Sequence, residues 1–257
     1  MSLYSNSLCG LVLLTDSRVQ CVAGVEGELA GIAMRSTEFH FPTLEQQLEG
    51  VRAEVKRSSS WRTDYWAKKA AAEAALGGGD GLVAEVKRDF SALNTGDFYL
   101  TRHSNLCETH VVFHMVVDDT LDNINISSRH PVIMGLRNVL KTACLNDITS
   151  LTVPLLLGHH MTEKMTVPWC LRRWERELQS FNQHEGDNPY MMIIDPYVRA
   201  ELVFKCLKGF MMEMGGWGGS EIKTLQFLLP ASIDQDVFLK LTAMLSTIFR
   251  VSSAIRG

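Results

Sequence analysis

No Cys-x-x-Cys pair occurs among the six cysteines of this 257-residue chain, which stand at positions 9, 21, 107, 144, 170 and 206. Scattered among apolar neighbours, they offer neither zinc-ribbon spacing nor a disulfide framework, and read as reduced, buried thiols. Positive charge is not in excess either. A net charge of −4 argues against a protein that binds nucleic acid by itself, because neutralising phosphates needs a basic field. Only seven prolines occur, and with 46% apolar residues no long stretch has the composition of a disordered chain. The apolar run Leu8 to Leu14 is too short to cross a bilayer, and no lysine or arginine precedes it. No direct membrane insertion is expected, the compartment reads as cytoplasmic, and the sequon Asn125-Ile126-Ser127 reads as silent. No GxSxG, HExxH or Cys-His constellation appears, so nothing points to a catalytic residue.

What is present alternates between two periods. GLVLLTDSRVQCVAGVEGELAGIAMRS carries short apolar runs broken by turn residues, which predicts short strands or hairpins. Thr43, with Gln46 three residues on, predicts a capped helix start. Ser58-Ser59-Ser60 is the expected linker to a second helix, DYWAKKAAAEAA, stopped by Gly77-Gly78-Gly79. Val83, Val86, Phe90 and Leu93 fall on one stripe of a third helix. In ETHVVFHMVVDD both faces are largely apolar, as for a strand covered on both sides. The helix opened by Pro131 and followed by Asn146 should bury Val132, Leu136, Val139, Leu140 and Ala143. A last strand, TLQFLLP, reads as buried. The helix after it is expected to start at Ser232, with Val237, Leu241, Met244, Leu245 and Ile248 inward.

This alternation predicts an α/β fold, three-layer α/β/α with a mixed sheet. The expected organisation is residues 1–60 as N-terminal strands and helix, then an α/β domain over 61–257. Between Trp174 and Arg199 the pattern breaks. Joining VPWCLRR directly to AELVFKCLKGFMMEM would give one amphipathic helix, so 174–199 reads as an inserted excursion.

Two resemblances add to this reading. From Gly96 to His160, GDFYLT…SNL, Val112-Phe113-His114 and the strand SLTVP (Ser150 to Pro154) resemble the centre of the macro domain, the module that binds ADP-ribose. In such domains the last strand opens into a glycine-rich loop; here it opens into Leu155-Leu156-Leu157-Gly158-His159-His160. The strings TGDFYLTRHSNL, ETHVVFH, HPVIMGLRN, DITSLTVPLLL, MTVPWCLRR, AELVFKCLKGFMMEM and IFRVSS resemble the C-terminal half of the third-subunit family of the FERRY complex. That complex is a five-subunit effector of an early-endosomal Rab GTPase that also engages mRNA. The resemblance covers roughly 95–173 and 200–253. It implies a non-enzymatic, macro-domain-like subunit, cytoplasmic and associated with early endosomes. Its implied partners are the other FERRY subunits, with the Rab GTPase and mRNA engaged through the complex for mRNA transport and localisation. The alternative is a working macro domain that binds or hydrolyses ADP-ribose or a related nucleotide.

For that alternative the vestigial pocket would comprise Gly77, Gly78, Gly79 and Asp80 before a helix, with Asn105 and Gly158. A phosphate nest needs consecutive small residues with free N–H groups, and leucines and histidines remove that freedom. No cofactor is expected. No metal is expected either: His110 and His114, four apart in a strand, stand about 13 Å apart along it. Met211, Met212, Met214 and Trp217 are interface candidates.

Overall fold

The computed structural model describes residues 8–19, 41–75, 92–104, 106, 109–122, 126–157, 196–214, 224–229 and 233–249. The expected glycine pocket (Gly77, Gly78, Gly79, Asp80, Asn105, Gly158) and the stripe residues 82–91 lie outside them. So do His159, His160, Trp217, Ser232 and residues 174–195.

Strand β1, Leu8–Thr15, sits at the centre of a five-stranded sheet. It pairs in parallel with β3, Val111–Val116, on one side and β4, Ile148–Pro154, on the other. Beyond β3 lies the antiparallel edge strand β2, Phe98–Arg102; beyond β4 lies the parallel edge strand β5, Thr224–Leu228. The sheet is therefore mixed, as the alternation predicts. β5 corrects one expectation: it is an edge strand, with Thr224, Gln226 and Leu228 exposed, not a buried one.

Alternation along the strands sends Val12, Phe113, Met115, Leu151 and Val153 to one face, all fully buried. Three helices cover that face: α2, Pro131–Leu145; α3, Pro196–Met214; and α4, Gln235–Ile248. The α2 stripe is as the period predicts, with Val132, Leu136, Val139, Leu140 and Ala143 all at zero exposure. On α4, Val237 and Leu241 are buried, and Met244, Leu245 and Ile248 pack beside them. Its cap is Asp234, whose carboxylate accepts from the Asp236 N–H at 2.8 Å. A carboxylate at this position suits the positive helix end.

The opposite face takes α1, Leu44–Ala75, through Leu44, Leu48 and Val51 against Tyr99. Thr43 and Gln46 form the capping box: the Gln46 N–H donates to the Thr43 hydroxyl at 3.3 Å, and the Thr43 N–H to the Gln46 side chain at 3.0 Å. α1 runs unbroken through Ser58-Ser59-Ser60, where a linker was expected. The hydroxyls of Ser58 and Ser59 donate back to the carbonyls of Val55 and Lys56, so these serines bond locally without leaving the helix. With β1 central and α1 continuous past residue 60, residues 8–15 and the start of α1 belong to the same packed α/β unit as the rest. The division expected at residue 60 falls within α1. α3 begins at Pro196, a proline at its first turn, so Pro196 to Arg199 of the expected excursion are helix.

One close approach fixes α2 against the sheet edge. Gly96 adopts φ +86°, and a Cβ there would stand 2.2 Å from the Pro131 carbonyl; a Cβ on Gly135 would stand 2.3 Å from the Gly96 carbonyl. Both obstacles are backbone, so neither can swing aside. Gly135→Ala is expected to lower unfolding stability by about 2 kcal/mol, the usual size of an overpacking strain. Gly50→Ala, on an exposed turn of α1 with open space around it, should raise stability by up to about 1 kcal/mol. Urea unfolding of both variants checks the contrast.

Candidate functional site

Parallel α/β sheets bind ligands beyond the carboxyl ends of their strands, where successive connections leave in opposite directions. β1 ends there between β3 and β4, so the segments that follow β3 and β4 are the place to look. After β4 come Leu155, Leu156 and Leu157, at 2%, 9% and 0% exposure. Leu157 holds φ +47°, a left-handed conformation that suits glycine and costs a leucine roughly 1–2 kcal/mol. A glycine-like backbone turn is thus kept while its interior is filled with leucine side chains.

Arg199, in the first turn of α3 and 3% exposed, ties this turn in place. Its guanidinium donates to the carbonyls of Leu156 and Leu157, at 3.4 and 3.2 Å, and to that of Leu121 in the 3₁₀ turn Asp119–Asp122 after β3. The cation here holds main-chain carbonyls from both strand ends. Sequence reasoning placed Arg199 in the excursion and missed it. The available signal was its spacing: with Val203, Leu207 and Phe210 it falls at i, i+4, i+8 and i+11, on the buried face.

Beside Arg199 lies an exposed polar chain. The His130 Nδ1 accepts from the Val132 N–H at 3.3 Å, capping α2, so a neutral ring carries its proton on Nε2 and donates to Thr120 Oγ1 at 3.2 Å. The Thr120 hydroxyl in turn donates to Asp118, which also accepts from Thr95 Oγ1 at 2.5 Å. Burial raises the Asp118 carboxyl, but the hydrogen bonds from Thr120 and Thr95 outweigh it and hold it below its usual value. Burial lowers the His130 imidazole; Asp118 opposes the shift and Arg199 reinforces it. These bonds close the end of β3 and cap α2.

On the α1 face, Thr101 Oγ1 lies 2.8 Å from His103 Nε2 and 2.7 Å from His114 Nε2, and Tyr99 stacks on His114 with centroids 4.6 Å apart. The His110 Nδ1 accepts from the Cys9 N–H at 3.1 Å. His103, His110 and His114 therefore knit the sheet. Among the described residues no three His, Cys, Asp or Glu side chains converge as a metal site. Burial and the neighbouring His103 push His114 down to about 3. Cys144 is buried and Cys9 and Cys206 are half-buried; burial pushes Cys206 up to about 11, away from reactivity.

The interface candidates that are described behave as surface. Met211 and Met212 are 53% and 73% exposed on α3. A separate groove of about 660 Å³ lies between α1 and the edge strand β2, with Gln47, Gly50, Val51, Tyr99, Leu100 and Arg102 among its lining residues. No helix among the described residues is long and apolar enough to cross a membrane.

Two outcomes follow from these contacts. Arg199→Met leaves the carbonyls of Leu121, Leu156 and Leu157 without their donor and is expected to cost about 3 kcal/mol or more, read as a lowered Tm. His114 stays neutral in the fold down to about pH 3, whereas the unfolded ring takes up a proton below about 6.5. Stability is therefore level above pH 6.5 and falls below it by up to about 1.4 kcal/mol per pH unit. Urea titrations at pH 6.5 and 5 should show a shallower fall for His114→Gln; equal falls would remove His114 as the cause.

A family model described as "Ferry endosomal RAB5 effector complex subunit 3" matches residues 1–180 and 191–255. The match therefore includes the N-terminal strand and α1, beyond the stretches that carried the resemblance, and its break lies inside the expected excursion. The human protein named Ferry endosomal RAB5 effector complex subunit 3 is 44% identical over 255 residues, 99% of this chain and 42% of its own length. The proteins of that name from Pongo abelii and Mus musculus match at the same identity and coverage. The chain thus spans well under half the length of these relatives. It belongs to the family of FERRY endosomal RAB5 effector complex subunit 3.

Proposed function

We propose that this chain is a non-enzymatic subunit of an endosomal RAB5 effector complex, acting through protein surfaces and not through a bound nucleotide. The observation that carries the reading is the 44% identity sustained over 99% of the chain to relatives bearing that name. The geometry supports it. The turn after β4 is filled by the buried side chains of Leu155, Leu156 and Leu157, and its Leu156 and Leu157 carbonyls are held by Arg199, so these residues pack with apolar side chains where a phosphate nest has small ones. In this reading the fold is a macro-like α/β scaffold whose nucleotide clamp has been packed shut. Its partners are the other FERRY subunits, with the Rab GTPase and mRNA reached through the complex. Its place is the cytoplasmic side of early endosomes, in the transport and localisation of mRNA.

The test has two arms. Affinity purification of the tagged chain from cells of its own organism should recover the other subunits by mass spectrometry, and recovery of none would overturn the proposal. Calorimetry with ADP-ribose at millimolar concentration should give no heat. Micromolar binding would replace the scaffold reading with that of a working macro domain.

A further inference from the structure

The edge of β2 already holds an amide in the position of a missing strand. Tyr99 pairs with His114 and Thr101 with Val112, and the flanking Asp97 and His103 bond β3 through the Asp97 carbonyl and the His103 N–H. By alternation, the N–H and C=O groups of Phe98, Leu100 and Arg102 point away from the sheet. At Arg102 both groups are satisfied by one side chain: its N–H donates to the Gln47 carbonyl oxygen at 2.9 Å, and the Gln47 amide donates to its carbonyl at 3.0 Å. The Gln47 amide is anchored in turn by donating to the Pro42 carbonyl at 3.0 Å. A primary amide is thus seated where the peptide group of a neighbouring strand would stand. Two residues along, about 7 Å away, Leu100 presents the same pair of groups and is 41% exposed. No described residue bonds its outward pair.

That position opens onto the groove beside α1, whose floor is kept low by Gly50, with nothing within 4 Å of a Cβ built there. Val51 and Tyr99 give the groove an apolar side for one inward side chain. Its rim carries Glu54 and Asp97 against Arg62 and Arg102, a balanced set with no basic field for a phosphate backbone. We propose that an extended segment of a partner subunit docks here as an added strand, its main chain pairing with Leu100 in the direction begun by Gln47 and an apolar side chain entering over Gly50. This rests on the reading of the chain as a complex subunit.

The test mixes the purified 257-residue chain with each of the other FERRY subunits in turn and measures affinity and amide exchange. One subunit should bind, slow exchange at the Leu100 amide, and bind Leu100→Pro and Gly50→Arg at least about tenfold more weakly. Proline at 100 removes only the outward N–H and leaves the bonds to β3 intact. Gly209→Arg, the same change at another open position on α3, should bind within about twofold of wild type. Undiminished binding by both groove variants overturns this docking site while the subunit assignment stands. A Leu100 amide already protected in the free chain, or a homodimer that Leu100→Pro dissolves, overturns the partner segment in favour of the chain itself. Binding by none of the subunits defeats both readings.

Discussion

The insertion of β1 between β3 and β4 is the constraint on which the rest of this molecule depends. Its residues pair with positions roughly a hundred residues away on one side and a hundred and forty on the other, in register from Gly10 with Val111 and, after a shift between Leu8 and Cys9, from Cys9 with Ser150. Without it the sheet would separate into an antiparallel pair, β2–β3, and a parallel pair, β4–β5. Two-stranded sheets of that kind are marginal in water. The buried face that α2, α3 and α4 share runs across both halves, with Val12 of β1 at zero exposure in its middle. Closing such long loops carries an entropic cost that only this shared core offsets.

β1 also determines where the strand ends meet. Because its two neighbours run parallel to it, the segments leaving β3 and β4 emerge at one end, on either side of its own exit. An open cradle at that point would need small residues with unspent N–H groups. Here the turn after β4 keeps a left-handed residue but gives it a leucine side chain, and a guanidinium from α3 spans the gap between the two exits. A buried arginine bonded to carbonyls costs desolvation. It is retained where it locks three elements, the 3₁₀ turn, the turn after β4 and the start of α3, into one arrangement. The polar chain His130–Thr120–Asp118 seals the outer side of the same corner while capping α2.

The legible part of this architecture is the part with strong local period. The α2 stripe, the inner face of α4 and the two apolar faces of β3 could be read directly, because each repeats the helical or strand spacing over several turns or residues. Three features were not legible, for different physical reasons. Ser58-Ser59-Ser60 resembles a linker in composition, yet serine is nearly neutral in a helix when its hydroxyl bonds back to the preceding turn. The central place of β1 leaves no local mark, since pairing partners a hundred residues distant are not written in its own alternation. Arg199 was obscured because a lone cation carries no apolar signal, although its spacing to Val203 and Leu207 puts it on the buried side. At the candidate site the run of leucines after Pro154, where the macro-domain resemblance implies glycines, was plain in the sequence. That the space was filled and tied by Arg199 required the fold.

Surface function in this fold has a different origin from pocket function. Beyond β4 the described space is filled by the side chains of Leu155, Leu156 and Leu157. The edge of β2 is made by main-chain groups, which no substitution short of proline removes, so an edge strand keeps its pairing capacity unless something else blunts it. Here the blunting is partial. Gln47 caps Arg102 and leaves Leu100 facing the groove, with charge of both signs along the rim and a glycine where a larger residue would close the floor. Leucines filling the turn after β4 therefore leave the outward main-chain groups of β2 untouched. The two places are separate, one beyond the strand ends and one along an outer strand.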